Sequence, residues 1–97
     1  MRLRLDPAMP HVTITHNLQR HVTAPEDDVE GATIRAVLDQ YFARHPAVRG
    51  YLLDEHDRLR QHVVIFADGR MISDRANLSD PLAPDSEVYV MQALSGG

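Results

Sequence analysis

Thr33-Ile34-Arg35-Ala36-Val37-Leu38-Asp39-Gln40-Tyr41-Phe42 is the stretch that decides the fold. Ile34, Val37, Leu38, Tyr41 and Phe42 fall at i, i+3, i+4, i+7 and i+8, one apolar stripe of an amphipathic helix. Thr33 offers a side-chain oxygen to the unpaired amides of the first turn and is a good N-cap. Pro46 cannot continue the helix and pushes the residue before it away from helical angles, which predicts an end near Arg44 or His45. A lone helix has to bury its stripe on something. The only other large apolar surface this chain offers is one face of a sheet, so the expectation is a two-layer α+β domain.

The strands lie on either side of that helix. His11-Val12-Thr13-Ile14-Thr15-His16 alternates, with Val12 and Ile14 on one face. Asn17-Leu18-Gln19-Arg20 supplies a turn and His21-Val22-Thr23-Ala24 reads as the returning strand, together an N-terminal hairpin. Beyond the helix, Tyr51-Leu52-Leu53 is a short apolar run that reads as a brief strand. Residues 54–60 are polar and read as a loop. Gln61-His62-Val63-Val64-Ile65-Phe66-Ala67 is the most strand-like segment, and Asp68-Gly69 is a strong two-residue hairpin signal leading into Arg70-Met71-Ile72. Residues 73–86, with Pro81 and Pro84, form an irregular connection from which Leu78 and Leu82 plug the core. Glu87-Val88-Tyr89-Val90-Met91 alternates as a last strand, expected beside the first.

That strand runs into Ala93-Leu94-Ser95-Gly96-Gly97. Without Cβ atoms, two glycines can lie extended in a channel too narrow for other residues and present the terminal carboxylate to another enzyme. Taken by itself, a di-glycine end is read more readily as an incidental small-residue terminus. The expected organisation is an extension over residues 1–10, a domain over 11–92 and a flexible tail over 93–97.

Composition narrows the chemistry further. No apolar run is long enough to span a bilayer, and Met1-Arg2-Leu3-Arg4-Leu5-Asp6-Pro7 lacks the apolar stretch of a secretory signal, so no membrane partner and a cytoplasmic location are expected. The formal charge of −4 disfavours nonspecific binding to nucleic acid. There is no cysteine, hence no disulfide, thiolate nucleophile or persulfide site, and all ten basic residues are arginine, so no side-chain amine is present. Acids cluster at Glu26-Asp27-Asp28-Val29-Glu30 and Asp54-Glu55-His56-Asp57. Such runs read as solvated loops, the alternative being an acidic docking surface for a basic partner.

In element order and tail together, the chain resembles the MoaD/ThiS sulfur-carrier family. The segments that carry the resemblance span roughly residues 11–97. They are Gly31-Ala32-Thr33-Ile34 opening the helix, Val63-Val64-Ile65-Phe66-Ala67-Asp68-Gly69, the stretch from Leu78 to Val88, and Gly96-Gly97. The resemblance implies a ubiquitin-like β-grasp fold, a mixed sheet of four to five strands packed on one main helix. It also implies a carrier that performs no catalysis and needs no cofactor of its own. An ATP-dependent adenylyltransferase related to ubiquitin-activating enzymes would activate the Gly97 carboxylate. Sulfur would replace AMP to give a thiocarboxylate, and a sulfur-acceptor enzyme would use it. Leu94, Ser95 and Gly96 form the tail that reaches the partner. A role as small subunit of a synthase such as molybdopterin synthase, and conjugation to lysines of other proteins, both fit the family. Molybdopterin-type carriers often have prolines and a valine before the di-glycine, where this chain has Gln92-Ala93-Leu94-Ser95, which leaves molybdopterin, thiamine and other destinations open.

Strand alternation gives a second functional surface. If Val63, Ile65, Ala67, Val88 and Val90 face the helix, then Val64, Phe66, Tyr89 and Met91 point to the other side of the sheet. An exposed patch of these residues beside the tail reads as a partner-docking site; the alternative is that the long loop or the extension covers it. Six histidines invite a metal hypothesis, with His11, His16 and His21 five apart and His62 across the sheet. Spacing typical of zinc sites is missing, and no native metal is expected. No catalytic set is evident.

Overall fold

The computed structural model describes residues 9–20 and 22–93, the side chains of Asn17 and Arg20 aside. Helix α1 spans Ile34–Arg44, and the Thr33 hydroxyl accepts from the Ala36 amide at 3.1 Å, the N-cap bond its sequence position predicts. Ile34, Val37, Leu38, Tyr41 and Phe42 are all buried. The helix ends with His45 at its C-cap, where the sequence puts it.

Pro46 ends α1 and also opens a second helix. Residues Pro46–Leu52 form α2, with the proline at its first turn and Val48 and Leu52 buried one turn apart. A proline at that position gives up only an amide that would be unpaired anyway, and its ring fixes the helical φ. The brief strand expected at Tyr51-Leu52-Leu53 is therefore corrected. Tyr51 and Leu52 are helical, and Leu53 makes only an isolated bridge to Leu59.

Five strands form one mixed sheet in the order β2-β1-β5-β3-β4: β1 His11–Ile14, β2 Asp27–Asp28, β3 Val63–Ala67, β4 Arg70–Met71 and β5 Glu87–Gln92. The last strand runs parallel to the first and antiparallel to β3, so the chain's final element is its central one. The N-terminal hairpin also differs from expectation. After β1 the chain turns through a 3-10 segment, His16–Arg20, and the strand that returns along β1 is the acidic pair Asp27–Asp28. Of the expected return strand, residues 22–24 are not in the sheet, and His21 lies outside the described residues. Ala24 is nevertheless fully buried, and Tyr41 donates its hydroxyl to the Pro25 carbonyl at 2.7 Å. Packing of this segment against α1 thus delays the return until residue 27.

Residues 73–86 lie across the start of α1. The Asp80 carbonyl accepts from the Ile34 amide and the Leu78 carbonyl from the Arg35 amide, at 3.0 and 2.8 Å. These are amides that a helix cannot satisfy from within. Leu78 is fully buried and Leu82 packs partly buried against the core, both as the sequence suggests. Gly31 sits where α1 comes closest: a Cβ there would lie 2.6 Å from the Val37 backbone nitrogen.

Candidate docking face and base of the tail

The register of β5 decides which side chains share the open face. Tyr89 pairs with Phe66 on β3 and with Thr13 on β1, while Met91 pairs with Val64. Partners in register point to the same side of a sheet. Val63, Ile65, Val88 and Val90 have no exposed surface and belong to the core under α1. Val64, Phe66 and Met91 are half-buried and Tyr89 is 41% exposed, so they form the opposite face. The in-register pairs Tyr89–Phe66 and Met91–Val64 set these side chains side by side across β5 and β3.

Met71 extends this face. It pairs with Phe66 from β4 and is 58% exposed, the most accessible large apolar side chain of the described residues. Sequence reasoning passed it over although the signal was present. The Asp68-Gly69 turn, with φ of +52° and +82°, fixes a two-residue hairpin that sets Ala67 against Arg70 and Phe66 against Met71.

At one end of this face the tail begins. The Ala93 amide donates to the His62 carbonyl at 2.7 Å, extending the β3–β5 ladder by one step past Gln92. Leu94, Ser95, Gly96 and Gly97 lie outside the described residues. Four residues extend at most about 14 Å from that anchor.

At the other end the face is acidic. His11 contacts Glu26 through Nε2 and Asp28 through Nδ1, both at 2.7 Å, and Glu26 also accepts from the Thr13 hydroxyl. The bond to Glu26 raises the His11 pKa above its ordinary value, against the lowering effect of burial and with help from Asp28 and Glu87. The same bond holds Glu26 below the usual carboxylate range. For Asp27, burial works upward, yet bonds from His45 and Arg44 outweigh it and the pKa is lowered. The first acidic run is therefore bound into the sheet edge rather than free in a loop. Asp68 is lowered by the Glu87 amide and the Ser86 hydroxyl, which tie the β3–β4 turn to the start of β5.

Of the histidines that suggested a metal, His11 on β1 is held by Glu26 and Asp28, His16 opens the 3-10 segment, His62 immediately precedes β3 and faces Ala93 across the ladder, and His21 lies outside the described residues. Among the described residues no group of three or more histidines, aspartates and glutamates is placed to hold a metal ion. No helix of the described residues is long and apolar enough to cross a membrane.

A search of protein families matches the ThiS family over residues 13–97, from within β1 to the second glycine. The chain belongs to the ThiS family. No curated protein matches its sequence closely. Among solved structures, this ThiS-family chain is similar to SAMP1 from Haloferax volcanii, with a TM-score of 0.71 and 22% identity over 93% of this chain and 100% of that one. It is also similar to CysO from Mycobacterium tuberculosis, with a TM-score of 0.74 and 20% identity over 88% and 99%. The chain is similar as well to the BexX/CysO complex from Amycolatopsis orientalis, with a TM-score of 0.75 and 19% identity over 91% and 99%. At these identities the structural matches establish the β-grasp fold, in which a mixed sheet grips one main helix.

Proposed function

We propose that this ThiS-family member is a sulfur carrier that works as a substrate and performs no catalysis itself. An ATP-using adenylyltransferase docks on Val64, Phe66, Met71, Tyr89 and Met91 and takes up the tail Leu94-Ser95-Gly96-Gly97. A carboxylate is a poor electrophile. Adenylation gives the Gly97 carbonyl a good leaving group, sulfur displaces AMP, and the resulting thiocarboxylate is passed to a sulfur-acceptor enzyme in the cytoplasm. The observation that carries this reading is the family match, which runs through Gly96-Gly97. The open apolar face beside the anchored start of the tail supports it. A solved complex of the structurally similar CysO with BexX illustrates a partner on a chain of this fold.

Intact mass after incubation with the cognate adenylyltransferase, ATP and sulfide tests the proposal. The expected product carries one sulfur in place of one oxygen. Deleting Gly97 abolishes that product and leaves the melting temperature within a degree or two of the parent, because chain ends contribute little to stability. A chain that is never adenylated, or a deletion that still accepts sulfur, overturns the reading. SAMP1, the small archaeal modifier protein of the structural matches, motivates a second reading in which Gly97 ends as an isopeptide on lysines of other proteins. High-mass adducts on blots of cell extract distinguish it.

A further inference from the structure

A guanidinium held partly out of water draws an anion, because burial strips some of its hydration and leaves its charge to be met by neighbours. Arg75 is such a group. It is half-buried, and one of its terminal nitrogens donates to the Arg60 carbonyl at 2.7 Å. A carbonyl satisfies an N–H but carries no net charge. Among the described residues no carboxylate contacts Arg75.

Arg75 lines a cleft of about 370 Å³ together with Asp54, Arg58, Leu59, Gln61 and Ala76. The two walls of the cleft are joined through main chain and side chain alike. The Leu59 amide donates to the Arg75 carbonyl at 3.1 Å while the Arg75 side chain returns to Arg60, which fixes the turn at 54–61 against the loop at 75–76. Asp54, the acid of this lining, is already committed. One of its oxygens, Oδ1, accepts from the His56 and Arg58 amides at 2.8 and 3.0 Å, closing the turn in which Asp57 has a φ of +61°. The other, Oδ2, lies 3.5 Å from Arg58 Nε, beyond the usual length of an N–H···O bond. Asp74, next to Arg75 in the chain, is likewise taken up by the Asn77 amide and the Ser79 hydroxyl. Two guanidiniums therefore share the cleft with one carboxylate, and its lining carries a surplus of positive charge on a protein whose formal charge is −4.

We propose that this cleft is an oxyanion-binding site, with the Arg75 fork as its main contact, Arg58 as its second cation and a carboxylate or phosphate as its ligand. A guanidinium has five N–H donors, and the bond to Arg60 spends one of those on Arg75, so two oxygens of one anion can still be taken side by side. The buried Leu59 in the lining lowers the local dielectric and strengthens the attraction. Gln61, also in the lining, precedes His62, whose carbonyl holds the Ala93 amide, so the anion lies at the end of the sheet where β5 finishes. The site goes beyond the proposed function and does not rest on any chemistry at Gly97. Two sources supply such a ligand: a free phosphate, or an acidic side chain of a docked protein.

The test titrates the isotope-labelled full chain with sodium phosphate and, separately, with sodium acetate, at slightly acidic pH and at an ionic strength held constant with chloride. The readout is the NMR shift of the Arg58 and Arg75 Nε–Hε signals and of the Gln61 and Ala76 amides. Saturating shifts confined to the cleft are expected with at least one of the two anions. Tighter binding of phosphate assigns the site to a free phosphate, and acetate binding at least as tightly assigns it to a protein carboxylate. Arg75→Gln is expected to weaken binding at least about tenfold, the loss of a charged hydrogen-bonded contact, and Arg58→Gln to weaken it less. Asp54→Asn keeps the oxygen that closes the turn and removes the competing charge. It is expected to bind more tightly than the parent, a gain that misfolding cannot produce. Arg70→Gln removes an exposed arginine from β4 and is expected to bind as the parent does. Shifts spread evenly over the surface, no saturation with either anion, or equal losses in Arg70→Gln and Arg75→Gln overturn the proposal. Failure of Gly97 to be adenylated would instead remove the proposed function and leave this site standing.

Discussion

Two carboxylates flank one imidazole at His11. Ionised carboxylates only accept, so the two contacts favour the form in which both ring nitrogens donate, the imidazolium. Because folding raises its pKa, the contribution to stability is fully present below the ordinary value of 6.5 and fades as pH rises through the folded value. The lowered carboxylates Glu26, Asp27 and Asp68 work in the opposite sense: their contribution is present above the usual carboxylate range and is lost on acidification. Between the two limits, at roughly pH 5 to 6.5, both sets act together and stability is expected to peak. Glu26 is exposed, so water screens what its bond adds to stability even though it weighs most on the titration. NMR titration of the His11 ring checks the assignment. Its midpoint is expected above 6.5 and is expected to move down in Glu26→Gln, and an unmoved midpoint would show that the contact does not exist in solution.

Among the elements, α1, β3, the Asp68-Gly69 turn and β5 were legible because each is specified locally. A heptad-like stripe, a two-residue turn and strict alternation need no knowledge of the rest of the chain. The missed elements depend on distant partners. The pair Asp27–Asp28 forms a strand because β1 lies beside it and its carboxylates are paired, Asp28 with His11 and Asp27 with Arg44 and His45, while acidic residues have poor strand propensity of their own. Helix α2 was hidden by its length, since seven residues with two buried positions show too little periodicity to separate helix from strand. The approach of Gly31 to α1 is also a property of packing, and it yields a sharp expectation. Gly31→Ala puts a methyl 2.6 Å from the Val37 nitrogen, and backbone cannot give way as a flexible side chain does. The change is expected to cost about 1–3 kcal/mol in a denaturant titration, with the midpoint falling and the slope unchanged. Gly50→Ala is the control, because nothing lies within 4 Å of that position. Gly31→Ala with the stability of the parent would mean that the loop and helix are not packed as described.

At the scale of the whole molecule, the proposed function puts stability and recognition on opposite faces of the sheet: among the described residues one face is buried under α1 and the other carries exposed side chains. The division of β3 and β5 between those faces was readable from alternation alone. Met71 was readable too, but only by carrying the alternation through the two-residue turn that pairs it with Phe66, and the tail from Leu94 to Gly97, outside the described residues, was read from glycine chemistry alone. The separation is itself testable. Ile65 has no exposed surface under α1, and Ile65→Ala is expected to lower stability by about 2–5 kcal/mol while the surviving folded fraction keeps the parent's KM for the adenylyltransferase. Tyr89 stands on the open face at 41% exposure, paired in register with Phe66 and Thr13. Tyr89→Ala removes apolar contact from the proposed docking surface and little from the core. Its expected signature is a KM raised about tenfold with kcat within about twofold of the parent, the mark of lost binding shared by ground and transition states. Its melting temperature is expected to fall far less than that of Ile65→Ala, since truncating an exposed strand residue forfeits packing worth under about 1 kcal/mol. If Tyr89→Ala lowers kcat and leaves KM alone, the ring acts on the positioning of the tail for chemistry instead of on docking. If neither constant moves, the partner meets another surface, and the open face loses its assigned role.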